Sequence, residues 1–236
     1  MNNYAVISLF PEMFTALSES GITSRVIAKK LASISFFNPR DYTQDSYQSV
    51  DDAPFGGGPG MVMKPEPLYL AHCAAKAKLS GKLAGKLSGK KIKTIYFAPQ
   101  GEVLTQKKAA DFALSENMIL VCGRYEGVDQ RFIDLCVDEV VCVGDYIVSG
   151  GELPAMTLLD AMFRLLPGSI KEHSHQEESF SEHLQGLLEA QQYTRPANWR
   201  GNLAPDVLLS GNHKEIEQWR KLNSLEVTAK YRDDLL

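Results

Sequence analysis

The chain carries only four cysteines among its 236 residues, Cys73, Cys122, Cys136 and Cys142, and no CxxC pair occurs. That excludes a zinc ribbon or a disulfide-stapled scaffold. Cys122 and Cys142 fall in apolar, strand-like runs, and the cysteines are expected to be reduced and mostly buried. GxGxxG, GxxxxGK[ST] and GxSxG are all missing, which argues against a Rossmann nucleotide site, a P-loop and a serine-hydrolase elbow. No apolar run approaches bilayer length, and the opening MNNYAVISLFPEMF has neither the basic lead nor the long apolar stretch of a signal peptide. A cytoplasmic protein is expected. Net positive charge is also lacking. With 25 basic and 29 acidic residues the balance is -4, unlike a non-specific nucleic-acid binder. Residues 76–93 nevertheless hold seven lysines and no acid, so a local basic surface for phosphates is available. His173 and His175 lie two apart without a convincing third ligand, so no metal site is expected there.

What the chain does have is an alternation of short apolar runs with amphipathic ones. Strands are expected at residues 4–9, 32–37, 92–98, 118–122 and 139–143. Helices are expected from Pro11 to about Ser18, from near Pro67 to about Lys78, at 105–115 and at 153–165. This order argues for an α/β fold with a mostly parallel sheet. Residues 41–65, with Gly56–Gly60 reading GGGPG, look like a long irregular loop. KLSGKLAGKLSGK at 78–90 repeats every four residues with glycine in each unit and reads as a flexible insertion. The expected organisation is a first domain over residues 1–168, a polar linker or lid at 169–179, and a helical, turn-rich unit at 180–236. The last is too small to be more than marginal alone.

Four glycine-bearing loops follow strand-like runs: GGGPG at 56–60, PQG at 99–101, CGRYEG at 122–127 and VGDYIVSGGELP at 143–154. Ligands of open α/β sheets bind beyond the carboxyl ends of strands, where glycine lets backbone come close. Arg124, Glu126, Asp129, Asp145, Arg164, Glu177 and Glu178 are the charges that could surround an uncharged heterocycle needing proton removal.

These segments resemble the bacterial tRNA (guanine-N1-)-methyltransferases, knotted enzymes of the SPOUT class. The matching stretches are SLFPEMF at 8–14, NPRDYT at 38–43, VDDAPFGGGPGMVM at 50–63, PQG at 99–101, CGRYEGVDQR at 122–131, VGDYIVSGGELPAM at 143–156, YTRP at 193–196 and LLSGNHKEIEQWR at 208–220. They run in order over most of the chain. The resemblance implies a trefoil knot, which general topology rules would never suggest. It implies a homodimer with shared active sites, S-adenosylmethionine as methyl donor, and magnesium dependence. The implied substrate is N1 of the guanine directly 3′ of the anticodon in a tRNA with another guanine before it. The implied donor pocket comprises Tyr96, Pro99, Gly123, Glu126, Val143, Gly144, Tyr146, Val148, Gly150, Gly151 and Pro154. Arg164 matches the arginine near the reacting guanine. The family's base is an aspartate before Ser-Phe; here Glu178 precedes Ser179-Phe180, an acid longer by one methylene. GLLEAQQYTRP departs from the family at Gln191 and Gln192, and the 78–90 repeat stands outside its pattern.

On this reading Glu178 removes the N1 proton of guanine and Arg164 offsets charge developing toward O6. Two rivals stand beside it: a knotted methyltransferase acting on another RNA, and a non-catalytic RNA-binding protein of the same fold.

Overall fold

The computed structural model describes residues 1–81, 92–170 and 177–236. They form two units, Met1–Ile170 and Lys171–Leu236. The repeat at 78–90 lies mostly, and His173 and His175 wholly, outside the described residues.

The first unit is built on one parallel sheet of five strands: β1 (Asn2–Ile7), β2 (Ala32–Phe37), β5 (Lys93–Val103), β6 (Asn117–Val121) and β7 (Glu139–Cys142), in the order β2-β1-β6-β5-β7. Their side chains alternate between two buried clusters, as the period of two requires. Tyr4, Val6, Ile95, Phe97, Met118, Leu120 and Val141 face one side. Ala5, Ile7, Tyr96, Ile119 and Val121 face the other. The first side is covered by α1 (Thr15–Glu19), α2 (Gly21–Ala28), α4 (Gln106–Ala113) and α6 (Glu152–Leu165), through Leu17, Val26, Phe112, Leu158 and Phe163. The second is covered by α3 (Pro65–Leu79) and α5 (Gln130–Cys136), through Leu68, Ala71, Ala75 and Phe132. Both faces of a parallel sheet must be buried in this way, which is why its strands read as continuous apolar runs.

The expected strands all form. Among the described residues two helices of the first unit escaped the sequence reading, α2 of eight residues and α5 of seven, each only about two turns long. The loop at 41–65 holds a two-residue hairpin of β3 (Asp51–Asp52) and β4 (Val62–Met63). PQG does not end its strand. Against β7 the register slips, with both Phe97 and Glu102 facing Val141, so the residues between bulge out of the ladder and β5 resumes to Val103.

In the second unit the main element is α8 (His213–Tyr231), capped at its start by the Asn212 side chain, with α7 (Asp206–Leu209) and the hairpin β8 (Asn198–Trp199)–β9 (Asn202–Leu203) before it. An extended run is tied to α8 by side chains: Thr228 Oγ1 accepts from Leu188 N at 3.1 Å, and Asn223 Oδ1 accepts from Gln191 N at 2.8 Å. Gln191 therefore uses its backbone for packing, whatever its side chain contributes.

Candidate active site

A cleft of about 430 Å³ opens beyond the carboxyl ends of the three adjacent strands β6, β5 and β7. That volume suits a small organic ligand. Three loops form it: the bulge after Phe97, the turn 123–128 after β6, and the segment 143–151 between β7 and α6. Each is one of the glycine loops singled out in the sequence. The fourth, Gly56–Gly60, does not line the cleft; it belongs to the β3–β4 hairpin rather than to a strand of the main sheet. Its role is support. Glu126 N donates to Met61 O at 2.9 Å, Met63 N to Gly127 O at 2.9 Å and Asp129 N to Met63 O at 3.1 Å. A Cβ on Gly60, which has φ +81°, would collide with the Glu126 side chain.

Tyr96, Pro99, Gly123, Glu126, Val143, Gly144, Tyr146, Val148, Gly150, Gly151 and Pro154 all line this cleft. Tyr96 is buried at its floor. Burial pushes its phenol above the ordinary value, with a hydrogen bond from the Val128 backbone working the other way. A side chain on Gly123 would meet the Tyr96 ring at 2.9 Å. Cys122, fully buried at the end of β6, has its thiol pushed well up by burial and by the Glu152 carboxylate. It stays protonated and serves packing, not nucleophilic chemistry. Polar backbone edges and an aromatic floor suit a heteroaromatic ligand, and the lining carries one acid, Glu126, and one base, Arg124.

A profile of the family described as tRNA (Guanine-1)-methyltransferase TrmD matches residues 2–236. The chain belongs to this family. Among similar proteins, the tRNA (guanine-N(1)-)-methyltransferase of Pseudomonas fluorescens is 52% identical over 232 residues, covering 98% of this chain and 88% of that protein. That of Stutzerimonas stutzeri is 51% identical with the same coverage. That of a Janthinobacterium species is 47% identical over 234 residues, covering 99% of this chain and 91% of its own.

The two residues expected to act on the guanine are placed on different units. Arg164 sits in the last turn of α6 in the first unit, where its carbonyl accepts from Ser169 Oγ at 2.7 Å. Glu178 sits in the second, and its carbonyl accepts from Ser181 N. Phe180 beside it holds φ +67°, a left-handed conformation costly for an aromatic residue, and is pinned by its amide donating to Leu187 O at 2.8 Å. The neighbouring Glu177 carboxylate lies 3.6 Å from Arg220 of α8.

Other charges of the suggested cluster have separate employment. Asp129 caps α5 through Arg131 N and pairs with the Arg131 guanidinium at 2.7 Å, which holds its carboxyl below the usual range. Arg124 turns inward toward Glu152 at 2.9 Å. The sequence marks Glu152 only as part of a tight turn into a helix, although it is 0% exposed and an acid so placed is almost never without a partner. Its only signal was position, directly after Gly150-Gly151 and ahead of an apolar helix.

Proposed function

We infer that this chain transfers a methyl group from S-adenosylmethionine to N1 of the guanine immediately 3′ of the anticodon, guanosine-37, in tRNA. The observation that carries this is the family match over the whole chain, 2–236. The cleft is the proposed donor pocket, held by the eleven residues named above. The donor supplies a methyl group on a cationic sulfur, and Glu126 offers the complementary charge at the lining. The aromatic floor at Tyr96 and the exposed backbone of the two later loops fit an adenosine.

Guanine N1 carries a proton and is a poor nucleophile until that proton leaves. Glu178 is the proposed base, and Arg164 the proposed partner of the charge that then develops on O6. Residues 1–168 are the proposed donor-binding domain, 169–179 the linker or lid, of which 171–176 lie outside the described residues, and 180–236 the tRNA-contacting domain. We further propose that the backbone around the cleft is threaded as a trefoil knot. In support, segment 143–151 returns across the β6 turn, where Gly151 N donates to Gly123 O at 2.9 Å. A homodimer with shared active sites, working in the cytoplasm, completes the reading; among the described residues no helix is long and apolar enough to cross a membrane. Magnesium dependence belongs to the same reading, but among the described residues no three His, Cys, Asp or Glu side chains converge on a point, and no step is derived through a metal.

The test is incubation with methyl-labelled donor and unmodified tRNA, followed by nucleoside analysis. 1-Methylguanosine at the position 3′ of the anticodon is the expected product. Label in a ribose, or none with donor bound, would overturn the reading.

A further inference from the structure

Glu152 is the first residue of α6 and is completely buried. One carboxylate oxygen, Oε1, accepts from Ser8 Oγ at 2.7 Å, at the end of β1. The other, Oε2, lies 2.9 Å from Arg124 Nε, close enough for an ion pair though not aligned for a hydrogen bond. Arg124 Nη1 continues to Ser149 O at 3.2 Å, and the guanidinium lies 4.5 Å from the centre of the Phe10 ring. A Cβ on Gly150 would come within 2.3 Å of Arg124 Nε. A side chain at 150 would therefore displace the arginine, which passes directly beneath it. The pair joins two of the three loops that line the cleft, 123–128 from the side of Arg124 and 143–151 from the side of Glu152.

A buried pair of this kind adds little net stability, because desolvation offsets the attraction. Its location points elsewhere. Arg124 is itself part of the cleft lining, and the proposed donor is a cation. An unopposed guanidinium there would repel it.

We propose that Glu152 is a positioning residue that neutralises Arg124 and locks it under Gly150, so that the cleft accepts a cationic donor without an electrostatic penalty relative to the uncharged thioether product. This rests on the reading of the cleft as the donor pocket. Removing the Glu152 charge while keeping its shape should weaken S-adenosylmethionine more than S-adenosylhomocysteine, since only the first carries the sulfonium charge. A role in packing alone would weaken both equally.

The experiment is calorimetric titration of the full chain with both ligands, for wild type, Glu152→Gln, Arg124→Gln, Arg124→Gln/Glu152→Gln and Ser8→Ala. In Glu152→Gln the ratio of the two dissociation constants should shift against the cation by about threefold or more, as expected for one charge in a partly screened site. In the double variant, with both charges gone, the ratio should return toward wild type. Unaltered tRNA affinity should accompany these changes. Equal weakening of both ligands, or an unchanged ratio in Glu152→Gln, would overturn the proposal. If Glu152→Gln fails to fold, Arg124→Gln alone decides: it leaves the Glu152 carboxylate unopposed, so the ratio should shift in favour of the cation by about threefold or more, and an unchanged ratio would overturn the proposal. Ser8→Ala keeps both charges, so a preserved ratio is expected and a displaced one counts against the charge argument. Wild-type protein that binds neither ligand would instead sink the reading of the cleft itself.

Discussion

The amide of Gly151 donates to the carbonyl of Gly123 at 2.9 Å, and a Cβ added to Gly151 would stand 2.7 Å from the Cα of Cys122. The first turn of α6 is therefore packed backbone to backbone on the end of β6. Glycine here lets two chain segments meet, and the surface facing the cleft is a consequence.

Gly151→Ala should accordingly cost folding stability as well as donor affinity. Neither backbone can yield cheaply, so a loss of about 1–3 kcal/mol is expected, in the range of overpacked cores. Urea denaturation without ligand is the check. An unchanged midpoint, with only donor binding lost, would show that the site and not the packing demands glycine.

Glu178→Gln keeps the size of the proposed base and removes its charge. Single-turnover methylation should fall about a hundredfold or more, with donor and tRNA binding spared. Glu178→Asp, which restores the family's usual acid, should retain far more activity. Glu177, engaged with Arg220 at 3.6 Å, is the control, and Glu177→Gln should remain near wild type. A large loss in Glu177→Gln with normal rates in Glu178→Gln would move the assignment by one residue.

If active sites are shared in a dimer, Arg164→Ala and Glu178→Gln chains should complement one another. Each mixed dimer would hold one site with both native residues. Co-expressed one to one, the preparation should recover about a quarter of wild-type activity, as random pairing in a twofold dimer dictates. Activity no higher than that of either variant alone would place both residues in one subunit's site.

His72 is 2% exposed, shares a hydrogen bond of 3.0 Å with Thr94 Oγ1, and packs edge-on against Phe132. Burial and the nearby Lys76 charge lower its pKa from 6.5 to about 4. Between those values the unfolded chain binds a proton that the folded chain refuses, so stability falls as pH drops through this window. The loss at the acid end approaches roughly 3 kcal/mol for a group shifted this far. His72→Gln, which cannot titrate, should flatten the slope of unfolding free energy between pH 4 and 6.5. A slope equal to wild type would assign the acid sensitivity to other groups.

The amino-acid sequence by itself determined the strands, the parallel α/β class and the family. Strands buried on both faces must be apolar throughout, and the ordered motifs are contiguous stretches of chain, so neither depends on knowing what touches what. All eleven residues assigned to the donor pocket fall in one cleft because they cluster in short segments that follow strands. Only the tertiary structure decided which loops form that cleft. GGGPG resembles the other three in composition, yet it follows no strand of the main sheet and supports Glu126 from behind. Tertiary structure also decided the partner of Arg124, because Glu152 lies 28 positions away along the chain and meets it only when α6 docks on the end of β6. Pairing across such a distance is a property of packing, and a local pattern of residues carries no trace of it.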